Sequence, residues 1–236
     1  FHAVSAFCNA GFDLMGIKEP FSSLSDYVGN PLINISIMSL ILLGGLGFVT
    51  WQDIAKNKGN FHRYRLQSKI ILSTTIFLVL LPALFYFFVE FGEMPMESRI
   101  LASLFTAVTP RTAGFNTVDF SKFSDSGIFL QTLLMLVGAA PGSTGGGMKI
   151  TTMTVLFLTS VAIFRNNSRT EAFGRTISGE VIRNATTIAF MYISLCILSG
   201  MFISLHDKLP LLVTSFEAAS AIATVGLTLG ITPNLS

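Results

Sequence analysis

Long apolar blocks separated by short polar ones dominate the chain. A membrane helix needs about 20 apolar residues, and four blocks meet or approach that length: residues 31–51, 70–90, 127–164 and 185–205. The second is the cleanest. The third runs for 38 residues and is broken in its middle by the string Gly138-Ala139-Ala140-Pro141-Gly142-Ser143-Thr144-Gly145-Gly146-Gly147. Three shorter, weakly apolar blocks lie between them, at 1–12, 98–115 and 212–227. These are too short to span a bilayer and suit re-entrant hairpins. The pattern predicts an all-α polytopic membrane protein.

The polar stretches give direction. Residues 52–69 hold Lys56, Lys58, Arg63, Arg65 and Lys69 against Asp53, and residues 165–183 hold Arg165, Arg169, Arg175 and Arg183 against Glu171 and Glu180. Residues 13–30 instead carry Asp13, Glu19 and Asp26 against Lys18. Residues 90–125 carry Glu90, Glu93, Glu97, Asp119 and Asp125 against Arg99, Arg111 and Lys122. Positive loops stay in the cytoplasm, so the short apolar blocks and the acidic loops face outward. An acidic mouth concentrates cations.

The short blocks are copies of one another. Phe1-His2-Ala3-Val4-Ser5, Phe105-Thr106-Ala107-Val108-Thr109 and Phe216-Glu217-Ala218-Ala219-Ser220 each lead, four or five residues later, to Ala10-Gly11-Phe12, Ala113-Gly114-Phe115 or Val225-Gly226-Leu227. The glycines are 103 and then 112 residues apart, and repeated units are common in membrane transport proteins. Each short helix is expected to end before its glycine and to continue as extended chain. A filter that strips water from an ion offers backbone carbonyls in its place. Turning successive carbonyls toward one axis needs backbone angles that glycine tolerates best. Irregular backbone at membrane depth is sustained where it lines a cavity. The flanking Asn9, Ala10, Thr112, Ala113, Thr224 and Val225 suit such a lining. A single Ala-Gly-Phe would read as a helix-packing glycine, but three with one lead sequence favour filter segments.

The run Gly138–Gly147 breaks a helix otherwise too long for the bilayer. Glycine costs a helix about 1 kcal/mol and proline about 3 kcal/mol, so five glycines and Pro141 end it. The run is placed below the filter, where it can obstruct the path and move aside; a plain packing kink is the alternative. It is not a Walker A loop, because Met148 separates Gly147 from Lys149 and Ile150 separates Lys149 from Thr151. Lys149 is a charge at membrane depth, which points to function. It either senses the loop and repels cations, or bonds a carbonyl or snorkels to water. Arg111 is expected to brace the Gly114 turn by pairing with an acid. Asp13 and Asn116 follow their glycines and either attract cations or cap turns.

Composition narrows the class further. Of 236 residues, 51% are hydrophobic and 12% charged, against roughly a quarter charged in soluble domains. The net charge of +2 does not suggest nucleic acid. His2, His62 and His206 are isolated, and Cys8 and Cys196 lie in apolar surroundings, so neither metal site nor disulfide is indicated. A membrane-embedded enzyme would want a carboxylate pair or a Ser/His arrangement in the bilayer. A proton-coupled carrier would want buried acids in its spans. Neither pattern is present. The chain starts at Phe1 without an initiator Met and stops just after the last glycine unit, which reads as a fragment.

The strings Phe7-Cys8-Asn9-Ala10-Gly11-Phe12-Asp13-Leu14, Thr109-Pro110-Arg111-Thr112-Ala113-Gly114-Phe115-Asn116-Thr117, Gly138 to Lys149, and Ala223-Thr224-Val225-Gly226-Leu227 together resemble the Trk/Ktr/HKT superfamily of potassium transporters, most closely the bacterial KtrB-type membrane subunit. The resemblance implies four helix–pore loop–helix repeats around a pseudo-fourfold pore. About two and a half of them would be present: the second in 1–57, the third in 58–178 and the fourth in 179–236. It implies filter segments at Asn9-Ala10-Gly11-Phe12, Thr112-Ala113-Gly114-Phe115 and Thr224-Val225-Gly226-Leu227. It implies a gating loop of Gly138, Pro141, Gly142, Ser143, Thr144, Gly145, Gly146, Gly147 and Lys149. It further implies K+ as the transported ion without a cofactor, Na+ as a possible activator, and a multi-pass protein of the bacterial plasma membrane. A homodimer resting on a cytosolic nucleotide-binding regulatory ring is also implied, with 52–69 and 165–183 as contact surfaces.

Overall fold

The computed structural model describes residues 1–17 and 22–234. Lys18 and Glu19 of the first acidic loop, and the final Leu235 and Ser236, lie outside the described residues.

The described residues are mostly helical. The short blocks become α1 (His2–Phe7), α5 (Met96–Val108) and α9 (Leu211–Ile222), each ending ahead of its glycine turn. The long blocks become α2 (Pro31–Gly45) with α3 (Phe48–Asn57), α4 (Leu66–Val89), α6 (Asp125–Leu136) with α7 (Ile150–Phe164), and α8 (Gly179–Asp207). Among the described residues α4 and α8 are long and apolar enough to cross a membrane unbroken, with 24 and 29 residues. Their outer faces carry Phe77, Leu84, Phe88, Phe190, Leu198 and Phe202, all exposed. Such faces are at home against lipid tails as apolar as themselves.

Starts and stops follow local chemistry. Asn30 caps α2 by accepting from the amides of Leu32 and Ile33, and Pro31 occupies the first turn, where its missing N–H costs nothing. Ser124 caps α6 through the Gly127 amide. Glu90, from the end of α4, holds that cap in place by accepting from the Ser124 amide at 3.1 Å.

The block at 31–51 is not the straight span its hydropathy predicts. α2 and α3 meet at 96°. The turn sits at Gly47, which has φ +84°. A methyl group on Gly44 would fall on the Phe7 carbonyl, and one on Gly47 would come within 2.6 Å of the Pro141 carbonyl. Close approach of other backbone, invisible to hydropathy, bends the chain here. The Trp51 indole N–H then donates to the Leu43 carbonyl at 2.9 Å, closing the corner.

Two of the short helices wedge between long ones, and the third lies against one. α5 packs on α4 and on α2, α9 packs on α8 and on α6, and α1 packs on α2. The leading phenylalanines Phe105 and Phe216 are accordingly buried, at 1% and 0% exposed. Phe1, the equivalent residue of the first segment, is 66% exposed. Phe105 packs with Ile37, Ile41, Val108 and Phe115, and Phe216 packs with Ile128, Met135, Val225 and Leu227. These two clusters fix the outer walls of the glycine turns.

At the basic end, Glu171–Ala172 and Arg175–Thr176 pair as a small antiparallel hairpin. Its tip, Phe173, meets Phe61 edge-on at 5.9 Å. The Lys69 ammonium lies over both rings, at 5.8 and 5.9 Å from their centres, which joins the two basic loops.

Candidate functional site

The three glycine turns share one backbone geometry. Gly11, Gly114 and Gly226 have φ of +71°, +78° and +89°. Two residues earlier Asn9, Thr112 and Thr224 also lie in the left-handed region, at +49°, +60° and +57°. For a β-branched threonine this is costly and needs surrounding structure to enforce it. Alternating left-handed residues swing successive carbonyls to the same side. The amides of Ala10, Ala113 and Val225 anchor each turn by donating to the carbonyls of Ser5, Thr109 and Ser220, at 2.9, 3.1 and 2.8 Å.

That last residue of the Phe-x-Ala-x-[Ser/Thr] lead has a second task. The Ser220 hydroxyl donates to the Leu227 carbonyl at 2.6 Å, and the Thr109 hydroxyl donates likewise to the Phe115 carbonyl. The equivalent Ser5 hydroxyl is buried without a partner among the described residues. There the following Phe12 is 71% exposed, whereas Phe115 and Leu227 sit in the core.

The turns converge although about a hundred residues separate them. A methyl on Gly11 would meet the Ala113 carbonyl oxygen and lie 2.9 Å from the Gly114 Cα. One on Gly114 would meet the Val225 carbonyl oxygen and lie 3.2 Å from the Gly11 Cα. One on Gly226 would stand 3.9 Å from the Gly114 Cα. Carbonyl oxygens and glycine faces therefore crowd a common space. The Ala113 and Val225 side chains, read from sequence as part of the lining, point the other way and are buried in the flanking cores. What faces inward there is main chain. Ala10 and Phe12 stay exposed.

On the acidic side the glycines open into a vestibule of about 650 Å³, lined among others by Asp13, Asn116, Asp119, Lys122 and Thr228. Asp13 also caps its own turn, accepting from the Met15 amide at 3.0 Å. The Asp119 carboxyl is held below its usual range by the Ser121 hydroxyl, with the Ser121 amide and Lys122 assisting and partial burial opposing. It remains an anion through neutral pH.

On the opposite side the broken stretch 137–149 folds back beneath the turns. It closes on itself through a parallel bridge between Val137 and Met148, with the Gly138 amide donating to the Met148 carbonyl at 2.8 Å. It docks on the α2–α3 corner: Ala140 N–H donates to the Gly45 carbonyl, Thr144 N–H to the Gly44 carbonyl, and Phe48 N–H to the Gly142 carbonyl. Its tip reaches the left-handed residue of every turn. The Thr144 hydroxyl bonds Asn9 Oδ1 at 3.0 Å and the Phe7 carbonyl at 2.9 Å. The Gly146 amide donates to Thr112 Oγ1 at 3.2 Å. A methyl on Gly146 would strike Thr224 Oγ1. Lys149 donates to the Gly145 carbonyl at 2.7 Å, so of the two roles expected for it the carbonyl bond is the one seen.

Among the described residues Arg111 pairs with no acid. Its side chain is buried and donates to the carbonyl of Thr75 on α4 at 3.0 Å, while its own carbonyl accepts from Asn9 Nδ2 at 2.9 Å. It ties the Gly114 turn to α4 and, through Asn9, to the Gly11 turn. The expected carboxylate partner gives way because α4 brings a backbone acceptor closer. Sequence reasoning also passed over Gly44 and Gly45 as the loop's seat. Their clustering with Gly47 was the available signal.

Short helices descending to left-handed turns around one space, with a broken helix beneath, define a polytopic membrane protein of pore-loop architecture. The chain belongs to the TrkH family of cation transport proteins, whose model matches residues 1–236. With that family it is a multi-pass plasma-membrane protein, and the family is one of transporters rather than enzymes. It is 39% identical to the potassium/sodium uptake protein NtpJ of Enterococcus hirae, matching 100% of this chain and 53% of that protein. It is 36% identical to the Ktr system potassium uptake protein B of Bacillus subtilis, again matching 100% of this chain and 53% of that protein. The chain thus spans about half the length of these relatives. The potassium transporter TrkH of Vibrio parahaemolyticus shares the fold, with a TM-score of 0.74 over 95% of this chain and 48% of that one, at 19% identity.

Proposed function

We propose that this chain forms part of a potassium uptake pore, in which Asn9–Phe12, Thr112–Phe115 and Thr224–Leu227 are three filter segments and 138–149 is the gate. The observation that carries this reading is the convergence of Gly11, Gly114 and Gly226, with the carbonyls of Ala113 and Val225 turned into the space between them. Such oxygens replace the water shell of a cation that is larger and less tightly hydrated than sodium. The vestibule gathers cations with Asp13 and Asp119. The tip Thr144–Gly146 stands across the path on the far side, held to Asn9 and Thr112 by single hydrogen bonds that are easily exchanged.

The units 1–57, 58–178 and 179–236 are the second, third and fourth repeats of a four-part pore. The fourth side, against the exposed Phe1 and Phe12, is supplied by a further repeat of the whole protein. Sodium as an activator, a homodimer and a cytosolic nucleotide-binding ring on the basic loops belong to the same reading; among the relatives' names, only that of the potassium/sodium uptake protein bears on it, and on sodium alone.

The test is rubidium uptake by the full-length parent protein in proteoliposomes. Uptake that potassium suppresses and sodium does not is the expected result, and deletion of 140–147 is expected to raise it. Absence of uptake refutes the transport reading. Unchanged flux in the deletion leaves the loop a packing kink.

A further inference from the structure

The variable residue of the Phe-x-Ala lead occupies equivalent places in the three segments, as His2, Thr106 and Glu217. In two of them it does the same thing. His2 Nε2 accepts from the Leu14 amide at 3.2 Å, and Glu217 Oε1 accepts from the Leu229 amide at 2.8 Å. Leu14 and Leu229 are each the third residue after their glycine. Thr106 makes no such bond: among the described residues its buried hydroxyl has no partner.

Glu217 is more heavily engaged than His2. Its Oε1 also accepts from the Thr228 hydroxyl, and its Oε2 from the Thr232 hydroxyl, both at 2.7 Å. The side chain is buried. Among the described residues the ion pairs are Lys122 with Asp119 and His206 with Asp207, so no cation neutralises Glu217. Thr228, Leu229 and Gly230, which it gathers, line the outer vestibule. The carboxylate stands directly behind that wall. A charge kept from water and from counter-ions acts over longer range than one at the surface.

Resting on the pore reading above, we propose that this lead position holds the positioning residue for the chain leaving Gly11 and Gly226, and that Glu217 uses it to set a fixed negative charge behind the outer end of the pore. The charge favours a partly dehydrated monovalent cation beside Gly226. The segments are thereby unequal: an imidazole acceptor, a hydroxyl without a partner among the described residues and a carboxylate stand at the three equivalent places.

The experiment compares Glu217→Gln and Glu217→Ala in the full-length protein. Glutamine keeps an oxygen for the Leu229 amide and the Thr228 hydroxyl, removes the charge, and turns the other oxygen into an N–H donor that the Thr232 hydroxyl can accept. It is expected to raise the rubidium concentration for half-maximal uptake by on the order of tenfold, with maximal rate and potassium-over-sodium preference retained. Alanine also frees the return, and preference falls with affinity. Amide hydrogen exchange in nanodiscs reads the brace without transport. Exchange at Leu229 is expected about tenfold faster in Glu217→Ala and unchanged in Glu217→Gln, and His2→Ala is expected to do the same at Leu14. A half-saturation unchanged in Glu217→Gln overturns the charge role. Exchange unchanged in both alanine variants overturns the positioning role. Loss of uptake by the unaltered protein instead condemns the pore reading, and the exchange data still judge the brace.

Discussion

Replacing Thr144 with valine isolates the contact between the loop and the turns. Valine keeps the shape and removes one hydroxyl, which carries a single proton and lies within bonding distance of both the Phe7 carbonyl and Asn9 Oδ1. The loop's other ties remain: three backbone bonds to the α2–α3 corner and the Gly146 amide on Thr112. A hydrogen bond contributes about 1 kcal/mol net, and stranding its acceptors raises the loss to about 1–3 kcal/mol. Since 1.4 kcal/mol is a factor of ten, the docked loop loses about fivefold to a hundredfold of its advantage over an undocked one. A perturbation acts on an equilibrium only through its difference between the two states, and this bond exists only in the docked one. Initial rubidium uptake into proteoliposomes is therefore expected to rise at least about fivefold. Uptake equal to that of the unaltered protein, with the purified variant equally stable, refutes the claim that docking of this loop limits flux.

Gly114→Ser adds a Cβ at φ +78° against the Val225 carbonyl, so the carbonyl must turn and potassium-over-sodium preference is expected to fall several-fold; competition of sodium with rubidium uptake checks it. Gly44→Ala drives a methyl into the Phe7 carbonyl, which belongs to backbone and yields little. A loss of about 1–3 kcal/mol is expected as a lower thermal midpoint in detergent. The Asp119 carboxyl lies below its usual range, so it is ionised above the ordinary carboxylate value and loses its charge, with the turn it supports, only as pH falls through the lowered one. Uptake is accordingly expected to be insensitive to Asp119 titration between pH 5 and 8, as measured by comparing pH profiles of Asp119→Asn and the unaltered protein. Asp119→Asn is also expected to slow uptake about twofold at limiting rubidium and low salt, an effect that added salt removes.

Much of this molecule is legible from residues alone. The apolar lengths of 70–90 and 185–205 called for spanning helices and found them in α4 and α8, because a chain in lipid must satisfy its own backbone. The glycines of the three short blocks, and the break at 138–147, were equally plain, since glycine and proline act on the backbone where they stand. Other features depend on contacts between segments a hundred residues apart. The corner at Gly47 exists because the broken stretch packs on Gly44 and Gly45. Arg111 found the Thr75 carbonyl because α4 passes beside its turn. Ala113 and Val225 bury their side chains because neighbouring helices cover that face. Thr112 and Thr224 adopt left-handed angles that their own side chains disfavour, and the repeating lead hid at its variable position the brace made by Glu217. Hydropathy and glycine spacing are properties of one dimension and determined the class, the helices and the sites of the turns. Which faces meet, and which oxygens turn toward the common space, was decided by packing in three dimensions.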